Sequence, residues 1–268
     1  MEICALPHWQ QIDFISDLHL QVEFPRTFNA WCNYLQHTTA DAVFILGDLF
    51  EVWVGDDVLS TPQSFEARCA AALHEAGKRL TIYIMHGNRD FLMGQALMAA
   101  CNATLINDPC VLIANHARWL LTHGDALCID DTSYMQFRTQ VRGSAWQENF
   151  LRQSLSARLD TARQLRLQSE ARKHAGEKYA DVDTATALQW LKAHQAQHMI
   201  HGHTHHPALH SLGDTHCRWV LSDWDLHATP ARAEVLRMFV GKNNQAQANR
   251  LERLTLAQTG LNSPSLPG

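Results

Sequence analysis

Five times along this chain a short apolar run ends on a residue able to hold a metal ion. Ile12–Ile15 leads to Asp17-Leu18-His19, and Ala42–Leu46 leads to Gly47-Asp48. Leu80–Met85 leads to His86-Gly87-Asn88-Arg89-Asp90, and Trp119–Thr122 to His123-Gly124-Asp125. His198–Ile200 leads to His201-Gly202-His203-Thr204-His205. Apolar runs this short, rich in β-branched residues, read as buried strands. In α/β sheets, ligands bind beyond the carboxyl ends of strands, so five such ends can converge on one site. The glycines beside these residues are expected to let the backbone turn tightly without a Cβ clash.

The chemistry of the set is specific. Asp17, His19, Asp48, Asn88, His123, His203 and His205 offer carboxylate, imidazole and amide donors and no thiolate. Mixed oxygen and nitrogen ligands suit Mn²⁺, Fe²⁺ or Zn²⁺ better than a cysteine-rich structural zinc site. Seven groups exceed the need of one tetrahedral ion. Two ions about 3.5–4 Å apart, sharing a carboxylate, would use them all. Each piece alone has an ordinary explanation: a strand-end turn, a helix cap or a capping loop. Their fixed order behind successive strands is what carries the reading.

Helix-like stretches around Phe28–Gln36 and Phe65–Ala76 separate the early strands, which predicts a layered α/β fold. Asn115-His116-Ala117 between two strand-like runs predicts a hairpin turn, and Arg218–Leu221 and Ala233–Val240 read as later strands of a mixed sheet. With 46% hydrophobic residues in 268, the chain can bury one well-formed core. The rhythm breaks between Asp130 and Asp183, where helix formers dominate. There Leu151, Leu155, Leu159, Ala162 and Leu165 recur at three- and four-residue spacing, with Phe137, Val141, Trp146 and Phe150 nearby. We therefore expect a core of residues 1–129 and 184–258 interrupted by a helical insertion, or lid, at 130–183. The stripe either packs on the main core or lines an apolar groove. Residues 259–268, with their Pro, Ser and Gly, are expected to be disordered.

Net charge is −5 at pI near 6.4, which gives no support for nucleic-acid binding. Charge is uneven, however: Tyr134 to Lys178 carries nine Lys/Arg against four Asp/Glu. A basic segment on an acidic body suits an anionic substrate or membrane surface, or is simply a solvated helical face. Seven cysteines without C-x-x-C spacing fit reduced thiols. No N-terminal signal is recognisable and no apolar run approaches a membrane span, so a soluble or peripheral protein is expected.

The ordered set D-x-H, GD, GNRD, HGD and GHTH resembles the calcineurin-like metallophosphoesterase superfamily from Asp13 to about His206. That resemblance implies a four-layer sandwich with mixed sheets inside and helices outside. It implies that Asp17, His19 and His205 hold one ion, that Asn88, His123 and His203 hold the other, and that Asp48 bridges them. It makes Asn88 and His123 catalytic, puts Arg89 on a non-bridging phosphate oxygen, where guanidinium geometry fits, and gives Asp125 and His201 the task of orienting ligand imidazoles. The longer strings, Phe14–Leu20, Ile45–Glu51 with Trp53 and Gly55-Asp56-Asp57, His86–Leu92, and Ile200–His205 with Pro207, resemble the UDP-2,3-diacylglucosamine diphosphatases of lipid A biosynthesis. This implies two Mn²⁺ ions, an acylated UDP-sugar substrate attacked at its α-phosphorus, and peripheral attachment to the cytoplasmic side of the inner membrane. The alternative on the same motifs is another calcineurin-like phosphoesterase, a nucleotide or protein phosphatase. The resemblance adds Asp131, Ser169, Asn88, Arg89 and His203 as substrate contacts; Lys173 is taken as a substitute, because the family's Asn and Lys in the insertion have no counterpart in register. The leucine stripe would then line an acyl groove, and Arg138, Arg142, Arg152, Arg158, Arg163 and Arg166 would meet headgroups or the diphosphate.

Overall fold

The computed structural model describes residues 1–174, 181–241 and 248–260, with side chains of the long insertion helix described through Leu167. The chain runs β1 (Glu2–Cys4), β2 (Gln11–Ile15), α1 (Pro25–His37), β3 (Ala42–Leu46), α2 (Phe65–Ala76), β4 (Thr81–Met85), α3 (Gln95–Cys101), β5 (Thr104–Ile106), β6 (Cys110–Ala114) and β7 (Ala117–Thr122). Next come α4 (Thr132–Val141), α5 (Ser144–Leu151), α6 (Leu155–His174) and α7 (Thr184–Ala193). Then follow β8 (His198–His201), β9 (Ala208–Ser211), β10 (Cys217–Val220), β11 (Glu234–Phe239) and β12 (Arg250–Thr255).

Two six-stranded mixed sheets result, ordered β12-β11-β2-β3-β4-β5 and β1-β6-β7-β8-β10-β9. In the first, β2, β3 and β4 are mutually parallel, so their carboxyl ends share one edge. In the second, β7 and β8 are parallel and also end together. The hairpin between β6 and β7 turns on Asn115 and His116, both at positive φ, as a tight two-residue turn of antiparallel strands requires.

Strand alternation explains the layering. Val43 and Ile45 of β3 face a core shared with Trp31, Leu35, Leu73 and Leu97 of the helices α1 to α3. Ala42, Phe44 and Leu46 face the opposite way, onto Leu112, Trp119, Leu121 and Ile200 of the second sheet. The far side of that sheet, through Val111, Leu120 and Met199, packs on Ala187 and Leu191 of α7. Helices, sheet, sheet and helix therefore make the four layers, and β3, covered on both faces, is apolar throughout. Each fully buried large apolar side chain stabilises this stack by about 1.5–3 kcal/mol.

Helices α4, α5 and α6 fill the stretch expected to be an insertion, and its ends lie close: Asp183 N donates to Leu127 O at 2.9 Å, and the Asp183 side chain caps α7. The leucine stripe of the helical stretch divides. Leu155 and Ala162 pack against the core beside Trp146 and buried Phe150, while Leu151, Leu159, Leu165 and Leu167 stay exposed. Among the described residues of α6, the one that buries most deeply is Arg158, 2% exposed, held by the Asp57 carboxylate and the Val54 carbonyl. Arg158 is therefore an anchor and not a headgroup contact. Arg152 and Arg163 are exposed and pair with Glu148 and Asp160 of their own helices. Thr259 and Gly260, expected in a disordered tail, are placed: Thr259 O accepts from Arg237, and Gly260 bridges Thr38. Residues 261–268 lie outside the described residues. All seven cysteines are free thiols, as their spacing suggested.

Candidate metal centre

At the shared strand ends the backbone turns at once. Asp17, His19, Asp48, His203 and His205 all have positive φ, between 47° and 69°. A residue other than glycine costs on the order of 1–3 kcal/mol there and persists only where its surroundings over-determine it. The surroundings do so by tying the loops to one another. Asp17 N donates to Gly47 O at 3.1 Å and His19 N to Asp48 O at 3.0 Å, joining the β2 and β3 loops. Asp90 accepts from the N–H groups of Gly87 (2.8 Å), Leu49 (2.7 Å) and Phe50 (3.3 Å), joining the β3 and β4 loops. His203 N donates to Asp17 Oδ2 at 2.9 Å, joining the β8 loop of the second sheet to the first. Two of the glycines are needed for closeness and not for a turn, contrary to expectation. Neither Gly87 nor Gly202 has positive φ, yet a Cβ would overlap Asp48 Oδ1 at the former and Asp17 Oδ2 at the latter.

All seven expected ligands meet at this point. Asp17, His19 and His205 present ligand atoms within 4.8 Å of one another, and so do Asp17, Asp48 and His123. Asn88 Oδ1 joins the second group, 3.0 Å from His123 Nε2 and 2.9 Å from His203 Nδ1. Asp48 faces both groups, Oδ2 3.8 Å from His19 Nε2 and Oδ1 3.8 Å from His123 Nε2. Asp17 also belongs to both clusters.

The donor set fits a cation. His123 Nδ1 must donate its proton to Leu46 O, 2.9 Å away, which leaves Nε2 of the neutral ring as a bare lone pair. That lone pair faces the Asn88 carbonyl oxygen at 3.0 Å, an acceptor against an acceptor, which calls for a cation or a proton between them. His205 Nε2 lies 3.4 Å from His19 Nε2, one ring donating and the other accepting. Protons feel the same demand: burial favours neutral His123, but Asp48, Asp17 and Asp125 outweigh it and lift its pKa to about 9. Burial and the neighbouring His123 push His203 down to about 4. Asp17, although buried, is held far below the carboxylate range by His205 and its neighbours.

The outer residues depart from expectation in part. Asp125 makes no hydrogen bond to a ligand imidazole; its Oδ2 accepts from Tyr134 Oη at 2.6 Å and Arg138 Nε at 2.8 Å, so it acts on His123 and His203 through charge. His201 turns away, donating from Nδ1 to Gly202 O (2.9 Å) and accepting from Arg218 at 3.1 Å. Arg89 does not pair with Asp90, which is occupied by backbone; its nearest carboxylate is Glu51, at 3.9 Å. Asp131 caps α4 through Tyr134 N at 2.9 Å and is half-buried at the start of that helix. Ser169 and Lys173 have side chains outside the described residues. Arg142, expected at headgroups or the diphosphate, donates to Gly87 O at 2.9 Å. Two neighbours carried no expected role: Glu51 beside His19 (3.0 Å) and Tyr134 with its ring 6.1 Å from that of His203. Only Glu51 had a sequence signal, as an acid three residues beyond Asp48 in the same strand-end loop.

The family profile of the calcineurin-like phosphoesterases matches residues 11–207, which contain all seven converging side chains. The chain belongs to the calcineurin-like phosphoesterase family. Among relatives, a Bordetella parapertussis protein named UDP-2,3-diacylglucosamine hydrolase is 41% identical over 224 residues, covering 81% of this chain and 87% of the relative. Proteins of the same name from Aeromonas hydrophila and Ralstonia nicotianae are 42% and 41% identical, covering 79% and 84% of the chain and 89% and 88% of the relatives. This phosphoesterase is therefore a hydrolase whose seven converging side chains lie within the matched domain.

Proposed function

We propose that this phosphoesterase hydrolyses the diphosphate of UDP-2,3-diacylglucosamine, water attacking the α-phosphorus to release UMP and 2,3-diacylglucosamine 1-phosphate. The observation that carries the reading is the inward-facing acceptor set of Asp17, His19, Asp48, Asn88, His123, His203 and His205 beneath an insertion with exposed leucines. Those residues would hold two Mn²⁺ ions. Bound ions of this kind neutralise phosphate oxygens and lower the pKa of a water towards ~7. The chain supplies the remaining work. Asn88 and His123, fixed by the Leu46 carbonyl and the Asp90 cap, hold one side of the centre rigid. Arg89, its backbone N–H on Asp48 Oδ1 at 2.8 Å, presents a guanidinium suited to a non-bridging phosphate oxygen. The leaving group is itself a phosphate and departs without a dedicated proton donor. Asp131, Ser169 and Lys173 are the proposed sugar contacts of the insertion.

The acyl chains would lie along Phe137, Leu159, Leu165 and Leu167, all exposed. Each methylene removed from water there contributes about 0.8 kcal/mol. Among the described residues no helix is long and apolar enough to cross a membrane, and a peripheral position on the cytoplasmic face of the inner membrane suits such a substrate. The decisive experiment incubates the protein with Mn²⁺ and UDP-2,3-diacylglucosamine in ¹⁸O water. Label in UMP is expected. Label in the sugar phosphate overturns α-attack, and turnover of a soluble aryl phosphate in preference to the acylated nucleotide overturns the substrate.

A further inference from the structure

The Glu51 carboxylate stands where three parts of the molecule meet. Its Oε2 lies 3.0 Å from His19 Nδ1, while Oε1 lies 3.4 Å from Arg166 Nε and 3.9 Å from Arg89 Nη1. The side chain is 13% exposed. His19 belongs to the metal centre, Arg89 to the phosphate side, and Arg166 to α6 of the insertion, where it also donates to Gln21 Oε1 at 3.0 Å. The backbone around Glu51 is fixed as well: its N–H donates to Leu20 O at 3.2 Å, and Asp90 holds the preceding Phe50 N–H.

We propose that Glu51 is a positioning residue that couples docking of the helical insertion to the orientation of the His19 imidazole. The inference rests on the two-ion reading above. An acceptor on one nitrogen of a ligand imidazole fixes its tautomer and aims the other nitrogen. Here Glu51 faces Nδ1, so Nε2 is the nitrogen directed at His205 and Asp48. The 3.0 Å contact is not an aligned hydrogen bond, since the Nδ1–H points off Oε2. A small ring rotation aligns it, and the setting of the carboxylate decides that rotation. Arg166 lies 3.4 Å from the other oxygen, with Arg89 farther off at 3.9 Å. With α6 docked the carboxylate is gripped from both sides; with α6 displaced it is free to turn from His19. By linkage, an ion that fixes His19 must in turn favour docking of α6.

The test uses the full chain, Mn²⁺ alone as the probe, calorimetry for affinity and hydrogen exchange over residues 155–167 for docking. In the wild type, Mn²⁺ is expected to slow exchange in α6. Glu51→Ala is expected to weaken Mn²⁺ binding by about 10–100-fold and remove the slowing. Arg166→Met, which leaves His19 and its carboxylate in place, is expected to weaken binding by roughly 5-fold. Glu51→Gln keeps an acceptor for His19 and is expected to bind more tightly than Glu51→Ala while α6 exchanges fast. Wild-type Mn²⁺ affinity in both Glu51→Ala and Arg166→Met overturns the coupling. If Glu51→Ala fails to fold, wild-type affinity and exchange in Arg166→Met alone overturn it. If the wild type itself binds no Mn²⁺, the two-ion reading fails and takes this inference with it.

Discussion

Arg89 and Asp90 are neighbours that the chain uses in opposite ways. Asp90 is fully buried, and its oxygens are taken up by three backbone N–H groups, so its work is to hold the loops that carry Asp48 and Asn88. Arg89 is half-buried, and its only ion contact among the described residues is at 3.9 Å, too long to satisfy a guanidinium. A group so poorly matched within the protein is suited to a ligand that matches it better, and a phosphate presents the paired oxygens that a guanidinium fork requires. Replacing Arg89 with alanine is therefore expected to lower kcat/KM by about 10²–10³-fold, the cost of removing one well-placed donor from developing charge. Mn²⁺ content should stay at the wild-type level, because none of the seven acceptors is touched. Steady-state kinetics with metal analysis on the same samples checks both halves, and unchanged turnover removes Arg89 from the phosphate.

At the scale of elements, α6 shows what an apolar pattern conveys and what it omits. Leu155 and Ala162 face the core, one of the two placements the stripe allowed, but the deepest of the described residues on the helix is Arg158. Periodicity counts arginine as polar and so places it outside; its aliphatic stem and a waiting carboxylate reverse that. The Arg158 guanidinium holds Asp57 below the usual carboxylate range. A depressed folded pKa means that this contribution to docking is complete above the unfolded value, about 3.9, and is lost as pH falls through the folded value. The insertion should thus stay docked at pH 5 and loosen below about pH 4, sooner in high salt because Asp57 is half exposed. Hydrogen exchange across α6 as a function of pH measures this; Arg158→Met should exchange fast at every pH. The strands bearing ligands were legible because each is a continuous apolar run with punctuation after it. β1 and β5 have three residues each and show no period, and β12 interleaves Arg250, Glu252 and Arg253 with its leucines as an edge strand does. Asp125 and His201 sit beside ligands in sequence, yet their hydrogen bonds go to Tyr134, Arg138 and Arg218, partners that no local spacing reveals.

Across the whole molecule the centre is a seam. Asp17, His19, Asp48 and Asn88 extend from β2, β3 and β4 of one sheet, and His123, His203 and His205 from β7 and β8 of the other. The two sheets otherwise meet through the apolar layer of Phe14, Phe44, Leu121 and Ile200, which leaves the polar end of the interface to be closed by charge. Without ions, that end concentrates the buried carboxylates Asp17, Asp48 and Asp125, with Asp90 pushed up in pKa by burial and by Asp48. Cations bound there must favour the folded chain, since an unfolded chain cannot bring seven groups from five segments together. At Mn²⁺ one hundred times its dissociation constant, one site stabilises by about 2.7 kcal/mol. For a chain of this size that corresponds to a rise in Tm of roughly 5–10 °C. Adding a chelator should reverse the rise, and Asp48→Asn, which removes the charge facing both groups, should lose most of it. Ligand-dependent thermal unfolding decides the matter. A Tm indifferent to Mn²⁺ in the wild type would mean that the seam is closed by protons on His123 and its neighbours, and that the converging acceptors are not an ion site at all.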